Sequence, residues 1–472
     1  MSTEPATRRA RGRRRRGRAF TSSFAIVVGV LAVVGLAGAA ATVAQGPRVT
    51  GVQVDPAAAA AASGSRLIVT TTQSLAEVDA SQVTVTPETP FAVDTSGRSV
   101  GVRFALPLWD DTEYTVEFEG VESLSGGPTT TISESFRTPP AQIELLQRGS
   151  DGDTIFRTDL TGENAVPVFT HPHIEDYRAT TTHLVVSVRT DDDRAGLIVT
   201  DLDGQNAREL PLPGDGFVSN LQSADRGDLV GYTFSDAELS ADSGRESMLF
   251  TVSLRDPDAG SAPVIVDGAD PRVAGWRFVP DTDSILLLSF DGSLLLTAGR
   301  EADSGATALG TAMTIEGIAR GSSEAIVERI EEMTTLDLTD ASEQPLVAPD
   351  VDLGGASTVT PLPDGSTIRT SAVLDDTGVP TGRTSIALVA ADGATRVLTE
   401  VPETDAVLQV CVSPSARYAA VLVAPGAVSN PYDTYQLPLP ERTETRVLEL
   451  SDGAAVVALA GSSISWCQVP PA

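Results

Sequence analysis

The chain holds only three histidines and two cysteines, so these are the first residues to weigh as chemistry. His171 and His173 flank Pro172, and His183 lies nearby, a grouping from which a zinc ion could draw ligands. The proline between strand-like runs marks a connection instead, so these residues are expected to form an ordinary loop with no metal. Carboxylates cluster at Asp110-Asp111, Asp191-Asp192-Asp193, Asp350-Val351-Asp352 and Asp375-Asp376. Calcium loops need oxygen ligands at set intervals around a tight glycine turn. Only Asp201-Leu202-Asp203-Gly204-Gln205-Asn206 approaches that pattern, and a counterpart carrying Thr161 and Glu163 shows it to be hairpin chemistry. The chain has no His-Glu-x-x-His, no Gly-x-Ser-x-Gly elbow and no phosphate-binding Gly-rich loop, so no catalytic residue and no cofactor is assigned. Trp276, Arg277 and Trp466 fall near turns and form the candidate binding face.

The elements that must position these residues come from a repeat. Ile155-Phe156-Arg157-Thr158-Asp159-Leu160-Thr161-Gly162-Glu163-Asn164-Ala165 returns as Leu197 to Ala207, with Thr, Asp, Leu, Gly, Asn and Ala in register 42 residues apart. Strand-like residues ending in a glycine turn at this period are the mark of a β-propeller. The residues closing each third strand, Leu160, Leu202, Leu254, Leu296, Leu338, Ala391 and Leu437, predict seven units over 140–472. Turns after the innermost strands agree: Phe278-Val279-Pro280-Asp281, Pro361-Leu362-Pro363-Asp364-Gly365 and Val412-Ser413-Pro414-Ser415. This Pro-Asp-Gly pattern resembles the TolB-like propellers of bacterial envelope proteins. It lacks the Trp-Asp pairs of WD repeats and the Asp-box of sialidases.

Residues 46–139 read as about seven short strands broken by turn residues, which suits an immunoglobulin-like sandwich without a disulfide. The frame Asp111-Thr112-Glu113-Tyr114-Thr115-Val116, then Gly126-Gly127, then Ser135-Phe136-Arg137-Thr138-Pro139 resembles the Ig-like domains of bacterial S-layer proteins. That resemblance implies a spacer.

The first propeller unit starts at Ile143 without an innermost strand, and Ser463 to Pro470 is a spare one. Placing the spare strand in the gap closes the ring and removes exposed edges. It also sets Cys411 and Cys467 in equivalent positions of neighbouring strands, each three residues before a proline, and predicts a disulfide clasp. One segment opposes the repeat. Ile326, Ile330 and Met333 have helical spacing behind a Ser cap, whereas the register makes this stretch a strand.

The formal charge is −31, and eight of the 33 basic residues, all of them Arg, lie within the first 18. A body this acidic repels phosphate backbones, which argues against nucleic-acid binding. Absent Lys beside abundant Ala, Val and Gly matches a high-GC bacterium such as an actinobacterium. Residues 19–45 carry no charge and predict one transmembrane helix. The Arg-rich tail 1–18 would then stay in the cytoplasm on anionic lipid, with the remaining domains outside the cell membrane; a cleaved signal peptide is the alternative reading. The expectation is an all-β protein that is probed for partners rather than substrates: a membrane-anchored scaffold binding an envelope protein or glycan. The rival is an envelope hydrolase or lyase with acids in the propeller channel.

Overall fold

The computed structural model describes residues 24–34, 46–224, 228–240, 243–256, 260–298 and 305–471. The Arg-rich segment 1–18 and most of the proposed span lie outside these residues. The expected membrane placement is corrected here. Residues 24–34 are helical, and among the described residues no helix is long and apolar enough to cross a membrane. Eleven residues rise about 17 Å, against a hydrocarbon layer of about 30 Å.

By its contacts the chain divides into two units, one of residues up to 55 with 66–104 and 113–136, the other of 56–65, 105–112 and 137 onward. The first unit holds two antiparallel sheets. Val49–Gln53, Arg66–Thr71, Ser99–Phe104 and Phe91–Ser96 pair in that order; Val83–Thr86, Glu113–Val121 and Thr130–Arg137 form the second sheet. Apolar residues alternate along the strands, so Leu67, Val69, Val102 and Phe104 of one sheet and Val83, Val85, Val116 and Phe118 of the other are buried. Phe136 joins the two sheets by packing on Phe104 (6.2 Å) and Tyr114 (5.9 Å).

The second unit is built from seven antiparallel sheets among the described residues, following one another from Ile143 to Ala460. The first has three strands, Ile143–Gln147, Asp153–Thr158 and Val166–His171, and each later sheet has four paired in sequence order. Cores form between neighbouring sheets. Val218, Tyr232 and Phe250 of the third sheet meet Val185 and Leu197 of the second. The last sheet's Tyr418 and Val447 meet Ile143 and Leu145 of the first.

The repeated glycine explains how the sheets stack. Gly204 has φ +77°, and a Cβ there would lie 1.6 Å from the Val168 carbonyl oxygen on the outer strand of the preceding sheet. Gly453 meets Leu398 in the same way, and Gly162 of the first sheet meets Leu459 of the last. The same packing step therefore runs across the junction between the chain's two ends, and the sheets close into a β-propeller. Two expectations need adjustment. The third strand of the last sheet is Glu444–Glu449, so its closing residue is Leu450, and Leu437 lies in an insertion of 425–443 that displaces the register. The ambiguous segment forms strands Glu324–Glu328 and Met333–Asp337, because pairing across the sheet outweighs its helical spacing.

The Asp of the repeat is a turn device. Asp159 accepts from the Thr161 N–H (2.9 Å) and hydroxyl and from Asn164 (3.0 Å), and Asp201 accepts from Asn206 (2.6 Å). Thr161 and Asn164 hold the Asp159 carboxyl down at about 2. A pKa lowered by folding stabilises the fold at pH above its unfolded value, near 3.9. That contribution disappears as pH falls towards about 2. The Asp159 carboxyl carbon should titrate near 2 by NMR and move towards 4 in Thr161→Ala. A midpoint near 4 in both proteins would count against this turn.

Candidate functional site

The two ends of the propeller carry different chemistry. At the end where the innermost strands finish, the C-terminal segment crosses the ring. Leu146 and Ser462 exchange two backbone hydrogen bonds, and Ser465 N–H donates to the Glu144 carbonyl at 3.0 Å. Only an isolated bridge forms, because the chain turns at 465–466 instead of continuing as the full strand expected there. Beyond the turn Arg178 donates to the Gln468 carbonyl, Gln409 to those of Val469 and Pro470, and Arg320 to that of Trp466. Cys411 and Cys467 form a disulfide with Cα atoms 5.6 Å apart. Beside it Trp466 stacks on Tyr418, ring centroids 5.9 Å apart.

Glu144, Arg320, Tyr418, Ser465, Trp466 and Gln468 line a cavity of about 410 Å³, closed on another side by the short helix Pro56–Ala61 and by Leu108 and Asp110. Its size suits a small ligand. Its carboxylates are already engaged: Glu144 pairs with Arg157 at 3.1 Å, and Asp110 lies 3.9 Å from Arg417. Burial raises the Asp110 carboxyl, opposed by Arg417, and burial with Asp110 nearby raises Tyr418 to about 12.

Of the three candidate binding-face residues, only Trp466 lines this cavity. Trp276 is fully buried, edge-on to Phe278 at 5.0 Å, with Gly231 beneath its ring. It therefore has no surface to offer a ligand. Arg277 is half-buried, donating to the Trp276 and Ile315 carbonyls, and desolvation lowers its pKa to about 10.

The opposite end holds a cluster that no motif announced. The insertion 425–443 reaches from the last sheet to the first two. Tyr435 donates its hydroxyl to the fully buried Asp153 (2.8 and 2.9 Å), which also accepts from the Gly149 and Ile174 N–H groups. Arg148 stacks on the Tyr435 ring at 4.1 Å and pairs with Asp433 at 2.7 Å. Glu175 binds Arg189 on one oxygen and the Gln436 and Leu437 N–H groups on the other. Burial and Asp153 push the Tyr435 hydroxyl well up, so it stays a donor.

The histidines do not converge: His171 contacts the His173 backbone, His173 packs near Tyr435 at 5.7 Å, and His183 bonds Thr182. Among the described residues no three His, Cys, Asp or Glu side chains are placed to hold a metal ion. The acid clusters at 191–193, 350–352 and 375–376 lie on exposed connections.

The strand order and the packing across the junction define a β-propeller. No protein-family profile matches the chain and no curated protein matches it. The chain is similar to the Swd1 β-propeller domain of Myceliophteria thermophila (12% identity, 62% of this chain and 87% of that one, TM-score 0.40). It is also similar to a putative TolB from Agrobacterium tumefaciens (14%, 68% and 90%, TM-score 0.33). For a tricorn protease the values are 12%, 85% and 36%, with a TM-score of 0.32.

Proposed function

We propose that the protein is a binding scaffold. A seven-bladed propeller presents a loop face to a protein partner, and an immunoglobulin-like domain over 46–139 acts as its spacer. The observation that carries this reading is a set of apolar side chains exposed at the tips of successive hairpins. Phe290, Ile330, Val379 and Val428 stand 51%, 83%, 55% and 100% exposed in the connections between second and third strands. Strands alternate in direction, so all such connections emerge at one end of the ring. Repeated exposure of large apolar residues on one face marks an interaction surface, and loops on a rigid ring suit recognition. Apolar tips favour a polypeptide over a glycan.

The test is a photo-crosslinking residue placed at position 330 or, on the opposite end, at position 340. The same partner should be captured reproducibly from 330 alone, and Phe290→Ser with Val379→Ser should abolish capture. Equal capture from both ends would remove the assignment.

A further inference from the structure

The charge around these tips specifies the partner further; this step rests on the scaffold reading. The hairpins 290–292, 329–332 and 375–379 carry five carboxylates and one guanidinium. That guanidinium, Arg329, is consumed internally by Glu343 and by the Leu309 and Thr311 carbonyls. Asp291 and Asp375 accept from their own turns. Glu331, Glu332 and Asp376 are exposed, and among the described residues they form no ion pair. Each apolar tip thus stands beside carboxylates: Phe290 by Asp291, Ile330 by Glu331 and Glu332, Val379 near Asp376. Elsewhere on this face Arg148 is occupied by Asp433, Arg245 by Asp236 and Arg272 by Asp270 and Glu246, whereas Arg442, exposed in the last sheet's connection, donates to the Ser429 carbonyl and among the described residues pairs with no carboxylate.

Over the hairpins of the fourth to sixth sheets the unpaired charges are negative, and an apolar surface of that kind selects against anionic partners and draws cationic ones by steering. We propose that the face formed by the second-to-third-strand hairpins of the fourth, fifth and sixth sheets binds a cationic polypeptide segment with apolar residues interspersed among Arg or Lys. The apolar residues settle against Phe290, Ile330 and Val379, while the cations meet Glu331, Glu332 and Asp376.

Fluorescent peptides of alternating Arg and Leu, Ser and Leu, and Glu and Leu test this on the full chain. The Arg-Leu peptide should bind at least tenfold more tightly than Ser-Leu, with Glu-Leu weakest, and added salt should narrow the gap. The set Glu331→Gln, Glu332→Gln, Asp376→Asn should cost about tenfold for Arg-Leu and nothing for Ser-Leu. An equal neutralisation at the other end, Glu163→Gln, Asp340→Asn, Asp392→Asn, should cost less than about twofold. Equal losses from the two sets would overturn the proposal, since general acidity would then account for binding. If Phe290→Ser, Ile330→Ser and Val379→Ser together weaken Arg-Leu and Ser-Leu alike, and the two peptides bind the parent protein equally, the cationic preference fails while the scaffold reading stands. If the triple Ser variant leaves every peptide unaffected, both fail. An unchanged melting temperature checks that each variant is folded.

Discussion

Replacing Cys411 and Cys467 with serine should lower the unfolding free energy of the propeller by about 4 kcal/mol, the entropy released when a cross-link over this span is cut. The bond joins residues 56 apart. It lies among the packed residues that connect the last sheet to the first, so its loss acts on the seam of the ring. In a unit of this size the change corresponds to a fall of roughly 5–8 °C in Tm, read by calorimetry. The oxidised parent should show no free thiol until denatured with a reductant present. Two titratable thiols in the unreduced protein, or an unchanged Tm in the double serine variant, would refute the clasp.

The second large effect belongs to Asp153→Ala. Deleting this buried carboxylate strips a partner from the Tyr435 hydroxyl and from the Gly149 and Ile174 N–H groups at once. Buried donors left without acceptors cost about 1–3 kcal/mol each. Partial relaxation brings the expected total to about 3–5 kcal/mol, measurable by urea unfolding. Tyr435→Phe, which removes one hydroxyl, should cost about 1–2 kcal/mol. The two together should cost less than their sum, because both act on the same bond. A loss below about 1 kcal/mol for Asp153→Ala would show that the insertion 425–443 is not holding the ring at that end.

The two ends of the ring differ in how far they could be read from sequence. The disulfide end was legible because Cys411 and Cys467 carry matching offsets from Pro414 and Pro470, and a local offset survives folding. Even there the last segment turns away after one bridge, since Arg178, Gln409 and Arg320 draw its carbonyls across the ring. The other end was not legible. The contacts of Tyr435 with Asp153 and Arg148 span more than 280 residues and leave no periodic trace. The insertion that makes them also displaced the predicted closing residue from Leu450 to Leu437. At 323–333 the helical spacing of Ile326, Ile330 and Met333 was a local preference that strand pairing overrode. Trp276 was misread because a turn nearby says nothing about which side of the strand faces the core; it points inward onto Gly231. The membrane span failed on length, since no helix among the described residues is long and apolar enough to cross a bilayer.

The packing of Gly162 on Leu459 also has a kinetic meaning. Within each sheet, neighbouring strands find each other across short hairpins, and such local pairing is fast. The seam is different: Glu144 and Ser465, bonded across it, stand 321 residues apart. Loop-closure entropy must be met before those contacts reward it. Assembly should therefore proceed quickly to an open arc and slowly to the closed circle. On the return path, once Cys411 and Cys467 are reduced, the seam should be the first place where amide hydrogens exchange, ahead of every interior pair of sheets.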